Sequence, residues 1–240
     1  MKNFKLTYKA YGERSILIEW PEEISTEILA DIVSFRTLLE KKYNKQNIYV
    51  NSAYNSLLIS YTNLISDFRN QIIELKELYD SNDRFYKTTS KLWKIPVCYD
   101  EQFGKDLSEL SAELNISNEE LIKVHSKTLY DVYFIGFLPG FLYLGGLNKQ
   151  IQFPRKAKPR QKINKGDVAI GGKQTGIYSI DSPGGWNIIG NTPVSLFDVT
   201  QDRPCFAKSG DKIQFFSVPI EEYRVIKNSN YLIESEVLHD

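Results

Sequence analysis

The run Val168-Ala169-Ile170-Gly171-Gly172-Lys173-Gln174-Thr175-Gly176-Ile177-Tyr178, continued by Ser182-Pro183-Gly184-Gly185-Trp186-Asn187-Ile188-Ile189-Gly190, decides how the chain folds. Short apolar segments alternate with pairs of glycines and a Ser-Pro, the pattern of short strands joined by tight corners. Val168–Ile170, Gly176–Ile180 and Ile188–Gly190 read as three such strands. Working outward, Trp93–Val97, Val132–Phe137, Val194–Asp198 and Ile213–Val218 read as others. Of the 14 glycines, 11 lie between Gly136 and Gly190, and only Gly12 precedes residue 95. The later part therefore depends on turns and close backbone approaches, and many short strands with Gly and Pro between them predict a β-barrel or sandwich. Two helices interrupt the strands. One carries Leu107, Leu110 and Leu114. The other runs from Leu121 to Ser126, behind the capping pattern Ser117-Asn118-Glu119-Glu120.

Before residue 90 the pattern changes. Leu6, Tyr8, Ile16, Ile18 and Trp20 alternate around a turn at Gly12-Glu13, then Ile24, Ile28, Ile32, Phe35 and Leu39 recur at helical spacing. Ile48–Val50 and Leu57–Tyr61 read as strands, and Phe68, Ile72, Leu75 and Tyr79 as a second amphipathic helix. The order β-β-α-β-β-α predicts a small sheet with helices on one face. The expected class is α+β. A small α/β N-terminal domain spans 1–90, a β-rich domain 91–228 and a tail 229–240, with the boundary near Ser90, after the polar segment Asp80–Ser90.

Composition excludes several function classes. The 240 residues carry 30 basic and 30 acidic side chains, so no global field recruits nucleic acid or an anionic membrane. No apolar run approaches the roughly 20 residues of a membrane span. The N-terminus, Met1-Lys2-Asn3-Phe4-Lys5, has no leader pattern, which predicts a cytoplasmic protein. Cys98 and Cys205 are isolated, and no metal-ligand set is expected.

Charge is nonetheless concentrated. Residues 149–173 hold Lys149, Arg155, Lys156, Lys158, Arg160, Lys162, Lys165 and Lys173 against Asp167 alone, a local net of +7. Such an excess suits a small anion as readily as it suits a solvated strand face. Gly171–Gly176 resembles a phosphate loop but fails its pattern: Asp167 stands where the first glycine belongs, and Gln174 where a Ser or Thr would hold Mg²⁺. Phe137, Phe141 and Tyr143 are candidate pocket walls or core. Ser182-Pro183-Gly184-Gly185-Trp186-Asn187 is either a ligand-approach turn or a tight corner with Trp186 in the core. His125, the one histidine apart from His239, is structural or catalytic.

A long set of motifs resembles one family. It comprises Ile95-Pro96-Val97-Cys98-Tyr99, Phe103-Gly104-Lys105-Asp106-Leu107, His125 with Tyr130, and Gly136-Phe137-Leu138-Pro139-Gly140-Phe141. It continues with Tyr143-Leu144, Pro154-Arg155, Pro159-Arg160, Gln174–Tyr178, Ser182–Trp186, Ile189-Gly190 and Thr192-Pro193. The chain resembles the B subunit of bacterial 5-oxoprolinase (PxpB), a family also called allophanate hydrolase subunit 1 and, as a kinase regulator, KipI. The likeness is weak before residue 90 and strong over 95–218. Leu142, Asn164-Lys165, Ser179 and Asn191 depart from the family's pattern, and at Asn191 the departure replaces a frequent arginine.

The resemblance implies a cyclophilin-like β-barrel for the second domain. It also implies ATP-dependent opening of 5-oxoproline (pyroglutamate) to L-glutamate with subunits A and C, with ATP and Mg²⁺ bound by or shared with a partner. The chain is also similar to half of the carboxyltransferase region of urea carboxylase, but it has no biotin-attachment Met-Lys-Met. A non-catalytic inhibitor of a sporulation-type histidine kinase is the alternative. On the enzyme reading, His125, Arg155, Arg160, Gln174 and Tyr178 are the expected catalytic residues. Phe141, Tyr143, Thr175, Ser182, Gly184, Gly185, Trp186 and Asn187 are the expected substrate-binding residues.

Overall fold

Hydrophobic alternation against a helical stripe builds the first part of the chain. The computed structural model describes residues 4–43, 47–81, 89–229 and 231–238. They divide into one unit up to Thr89 and another from Ser90 onward. The polar segment that precedes the expected boundary lies largely outside the described residues, as does His239.

In the first unit β1 (Thr7–Tyr11) and β2 (Ser15–Glu19) form a hairpin over Gly12, whose φ of 68° is the left-handed conformation such a turn requires. The helix α1 (Thr26–Lys42) follows, then β3 (Ile48–Ser52), β4 (Ser56–Tyr61) and the helix α2 (Phe68–Asp80). The sheet is antiparallel in the order β1-β2-β4-β3. Ser25 and Asp67 cap the two helices, accepting from the backbone N–H of Ile28 and Asn70. Ile16, Ile18, Leu57 and Ile59 face Ile28, Ile32, Phe35, Leu39 and Leu75 in one core. The buried Asp31 carboxylate accepts from Trp20 Nε1–H (2.8 Å) and from Tyr79 Oη–H (2.6 Å), joining the end of β2 to both helices.

The second unit contains β5 (Ser90–Val97), α3 (Leu107–Glu113), α4 (Asn118–Lys127), β6 (Leu129–Ile135) and β7 (Leu142–Gly145). It continues with β8 (Arg160–Ile163), β9 (Asp167–Gly171), β10 (Gln174–Ile177), β11 (Ser182–Gly184) and β12 (Asn187–Asn191). It ends with β13 (Lys212–Ser217), α5 (Ile220–Lys227) and β14 (Glu234–Leu238). Eight strands run in the order β12-β9-β10-β7-β6-β13-β5-β14, and β8 and β11 form a separate ribbon. Among the described residues, only β13 and β5 pair in parallel.

Three expectations are corrected here. The sheet is not a closed barrel: β12 meets the end of β5 at one residue pair, where Cys98 and Asn191 exchange two backbone bonds of 2.9 Å. The expected strand Val194–Asp198 is absent. Pro193 has no N–H to give, and Phe197 makes only an isolated bridge to Cys205. The expected tail contains β14, which pairs with Ser90–Lys94 of β5 and is tied there by Lys94 to Glu236 at 2.5 Å.

Strands β9 and β12 are buried along their whole length because apolar layers cover both faces of the sheet. Val168, Ile170 and Ile189 join the main core with Ile95, Tyr130, Leu144, Ile177, Ile213 and Phe215. Ala169 and Ile188, one residue out of phase, face Phe141, Ile163, Tyr178 and Trp186 on the other side.

His125 lies in the main core, fully buried and stacked on Phe215 (4.7 Å between centroids). Thr175 gives its one hydroxyl proton to Ala169 O (2.9 Å), so its oxygen accepts from His125 Nε2–H (3.0 Å). Nδ1 is then the acceptor for Tyr99 Oη–H at 2.8 Å. Both ring nitrogens are satisfied only in the neutral tautomer, and burial drives the pKa down to about 3. The structure thus places the expected catalytic residue His125 and the expected substrate-binding residue Thr175 inside the main core, bonded to each other.

Two measurements follow. Asp31→Ala should destabilise the protein by roughly 2–4 kcal/mol in denaturant titration, because two buried donors lose their acceptor. For His125, the unfolded chain takes up a proton near pH 6.5, whereas the folded chain does not until about pH 3. The contribution of this residue is therefore complete above about pH 6.5 and is lost as pH falls. Wild-type stability should drop by about 2 kcal/mol through this group between pH 7 and pH 5. His125→Gln should lack that component.

Candidate active site

Glycines carve the site by letting rings lie on backbone. The Trp186 indole rests on Gly171, where an added Cβ would stand 2.6 Å from ring atoms. Gly176 is equally confined: an added Cβ there would stand 2.8 Å from Leu142 O and 3.0 Å from the same indole. Phe141 is the centre of the layer, its centroid 4.7 Å from Tyr143, 5.1 Å from Tyr178 and 5.6 Å from Trp186. Phe141, Tyr178 and Trp186 are 2%, 2% and 4% exposed, so they are a foundation and not a surface. Of the two readings of each, the structure places Phe141 and Trp186 in the core, beneath the surface of the layer. The solvent side of the layer is formed by Tyr143, stacked with Phe134 at 4.2 Å, and by the exposed Phe137, edge-on to Phe141 at 5.8 Å.

Above this layer stands Arg155. It is exposed, and its guanidinium lies 5.6 Å from the Trp186 ring centroid. Its two neighbours in sequence are clamped to the residues on either side of the tryptophan. Asn187 Nδ2 donates to Pro154 O (2.9 Å) and to Ile170 O (3.2 Å), and Lys156 N donates to Gly185 O (2.7 Å). Asn187 is buried and both these bonds are to backbone, so it ties the residue before Arg155 to β9. Gly185 belongs to the same clamp. Gly184 makes room for Tyr178, since an added Cβ would collide with the phenol oxygen. Burial pushes the Tyr178 phenol up to about 12, against the opposing hydrogen bond from the Trp186 backbone, so it stays protonated at neutral pH.

Arg160, expected beside Arg155 as an anion ligand, is committed elsewhere. Its two terminal nitrogens donate to the buried Asp106 carboxylate at 2.8 and 2.6 Å. Lys156 Nζ lies 2.9 Å from the same carboxylate, and Ile188 N donates to it at 2.7 Å. Burial alone would raise the Asp106 pKa, but the bonds from Arg160, Lys156 and Ile188 outweigh it and hold the carboxyl below its usual range. Of the basic run, Lys162 also pairs with Asp181, and Lys165 Nζ donates to Ser195 Oγ. Arg155 is the cation held against the rings.

Gln174 Oε1 and the hydroxyls of Ser179 and Ser182 are buried with no hydrogen-bond partner among the described residues. Gln174 starts β10 and Ser182 starts β11; by strand alternation Gln174 shares its face with Gly176, which abuts Trp186 and Phe141. Sequence reading missed Asp106 and Phe134 as parts of this site. Asp106 gave only a motif match, because its partners lie 50 to 82 positions away.

The Gly171–Gly176 segment does not fit a triphosphate. It is the β9–β10 hairpin, and the N–H of Gly172 is spent on Phe153 O (2.7 Å) in an isolated bridge.

Comparison with known proteins gives the lineage. The family described as carboxyltransferase domain, subdomain C and D, matches residues 6–207. The chain is 32% identical over 229 residues to the 5-oxoprolinase B subunit of Bacillus subtilis (strain 168), covering 91% of this chain and 95% of that protein. It is 34% identical over 210 residues to the Haemophilus influenzae protein of the same name, covering 88% and 97%. The crystal structure of TTHA0988 is similar at a TM-score of 0.73 and 31% identity; the match covers 85% of this chain and 40% of that one. The urea amidolyase of K. lactis shares the fold at a TM-score of 0.78 and 20% identity, over 98% of this chain and 16% of that one. The chain belongs to the family of 5-oxoprolinase B subunits, within the carboxyltransferase subdomain C and D fold.

Proposed function

We propose that the chain is the B subunit of an ATP-dependent 5-oxoprolinase that opens 5-oxoproline to L-glutamate together with subunits A and C. The observation that carries this reading is the exposed Arg155 guanidinium clamped over an aromatic layer. 5-Oxoproline offers the complement: a permanent carboxylate for a guanidinium, and a flat ring with apolar faces for Tyr143. In this arrangement Arg155 binds the carboxylate, Tyr143 and Phe134 carry the ring, and Asn187 and Asp106 hold the binding residues in place. A lactam is a stable amide, and its opening needs activation that these side chains do not supply. ATP supplies that activation in the assembled enzyme, and the misfit of Gly171–Gly176 argues for its phosphates lying on a partner chain. A second reading, half of a urea carboxylase-like enzyme, is favoured by the family description and by a 24% identical urea amidolyase of Lachancea kluyveri, of which the match covers 14%.

The test is 5-oxoproline-dependent ATP hydrolysis by the chain alone, with the C subunit, and with subunits A and C. Turnover is expected only in the full mixture. Urea in place of 5-oxoproline should give none; urea-dependent turnover would favour the second reading. Arg155→Ala should lower kcat/KM by about 100-fold while the subunits still co-elute. Arg160→Ala should instead lower the melting temperature, because it strips a buried carboxylate of its bidentate partner. Undiminished turnover in Arg155→Ala removes the carrying observation. No turnover in any mixture of folded chains transfers the reading to the histidine-kinase regulator, whose assay is kinase autophosphorylation with and without the chain.

A further inference from the structure

We propose that Phe137 is a specificity-determining residue of this site, an aromatic cover that closes over the ring of a small cyclic carboxylate lying on Tyr143. The inference rests on the 5-oxoprolinase reading and adds a residue to it.

The backbone at this residue is unusual. Phe137 has a φ of 66°, one of two non-glycine residues in the left-handed region among the described residues. Leu138 N donates to Gly136 O at 2.8 Å, so Phe137 is the central residue of a γ-turn with positive φ, the rare and strained variety. Glycine or asparagine would adopt that conformation at less cost, and a bulky side chain there is an outlier. The ring gains little in return, being 66% exposed with one edge on Phe141. Neither the strain nor the exposed apolar ring helps the chain to fold.

The loop is held rather than loose. Gly136 N donates to Phe141 O (3.2 Å) and Phe141 N donates to Leu138 O (3.0 Å), closing the tip between β6 and β7. Gly140, with a φ of 79°, lies so close to Phe197 that an added Cβ would stand 2.6 Å from its Cβ. Phe137 is thus presented at a fixed place beside the ring layer. Phe141 connects it to Tyr143 on one side and to Trp186, under Arg155, on the other. A strained residue kept at a site by surrounding bonds points to a role in what binds there. A ligand with two apolar faces would use Tyr143 for one and Phe137 for the other, with Arg155 taking its charge. Buried between two rings, such a ligand recovers the apolar area that Phe137 leaves in water.

The experiment uses the complex assembled from all three subunits, with Phe137→Gly, Phe137→Leu and Phe137→Tyr. Phe137→Gly should keep or raise the melting temperature of the chain, since it relieves the turn. It should also raise KM for 5-oxoproline by about tenfold with kcat within about threefold. Phe137→Tyr should restore KM to near the wild-type value, and Phe137→Leu should fall between. A complex that turns over with the same KM in Phe137→Gly as in wild type overturns the role of Phe137 and leaves the 5-oxoprolinase reading standing. Loss of co-elution with the partner chains in Phe137→Gly overturns it in favour of a contact made in assembly. A wild-type complex without turnover overturns the 5-oxoprolinase reading and this inference together.

Discussion

One buried carboxylate holds the candidate site in register. Asp106 precedes the first residue of α3, and it receives Arg160 from the start of β8, Lys156 from the segment before it, and the backbone of Ile188 from β12. Residues far apart in sequence are thereby fixed to one point, close in sequence to the guanidinium and to the indole beneath it. Arg155 adjoins Lys156, and Trp186 lies two residues before Ile188. A buried ion cluster contributes little net stability when its desolvation cost is counted, yet removing one member leaves the others uncompensated. Its value here is geometric: the guanidinium of Arg155 can stand over the indole because both neighbouring segments are tied to the same anion.

Sheet covering is the second constraint. Layers on both faces of β9 and β12 require rings to pack where side chains would ordinarily stand, and Gly171 and Gly176 make the space. The glycine-rich sequence therefore serves close packing more than ligand approach. This also explains why the motif that imitates a phosphate loop lacks its chemistry. Its first glycine supports an indole, and the N–H of its second closes a bridge to Phe153.

Local pattern made much of this legible in the sequence. Ile16 and Ile18, the stripe from Ile28 to Leu39, and the alternation at Leu57 and Ile59 each mark an element that the structure contains, because burial period is a local property. Ser117 was readable as a cap, and its side chain accepts from Glu120 N at 3.1 Å. What sequence could not show depends on partners distant in the chain. β14 pairs with β5 across more than a hundred residues, and its mostly polar, exposed pattern carries no strand signal. Arg155 and Arg160 look alike as letters in a basic run, but Arg160 meets Asp106 and Arg155 meets solvent. His125 differs from a catalytic histidine only through Tyr99 and Thr175, 26 and 50 positions away.

The departure at Asn191 follows the same logic. Judged by charge alone, replacing an arginine there removes an anion-binding cation. In the fold, Asn191 is buried and saturated. Its amide nitrogen donates to Lys165 O and Asp167 Oδ1, and its oxygen accepts from Tyr223 Oη–H at 2.7 Å. Its backbone forms the bridge with Cys98 by which β12 meets β5. The position therefore belongs to the seam between the two strands and not to the aromatic layer. A cation there would face the buried Asp167, which Lys105 already approaches at 3.9 Å. Of the basic run, Lys156 and Arg160 share the buried Asp106, and Lys162 pairs with Asp181. Selectivity for an anion then depends on which cation the fold leaves exposed against the rings, and that residue is Arg155.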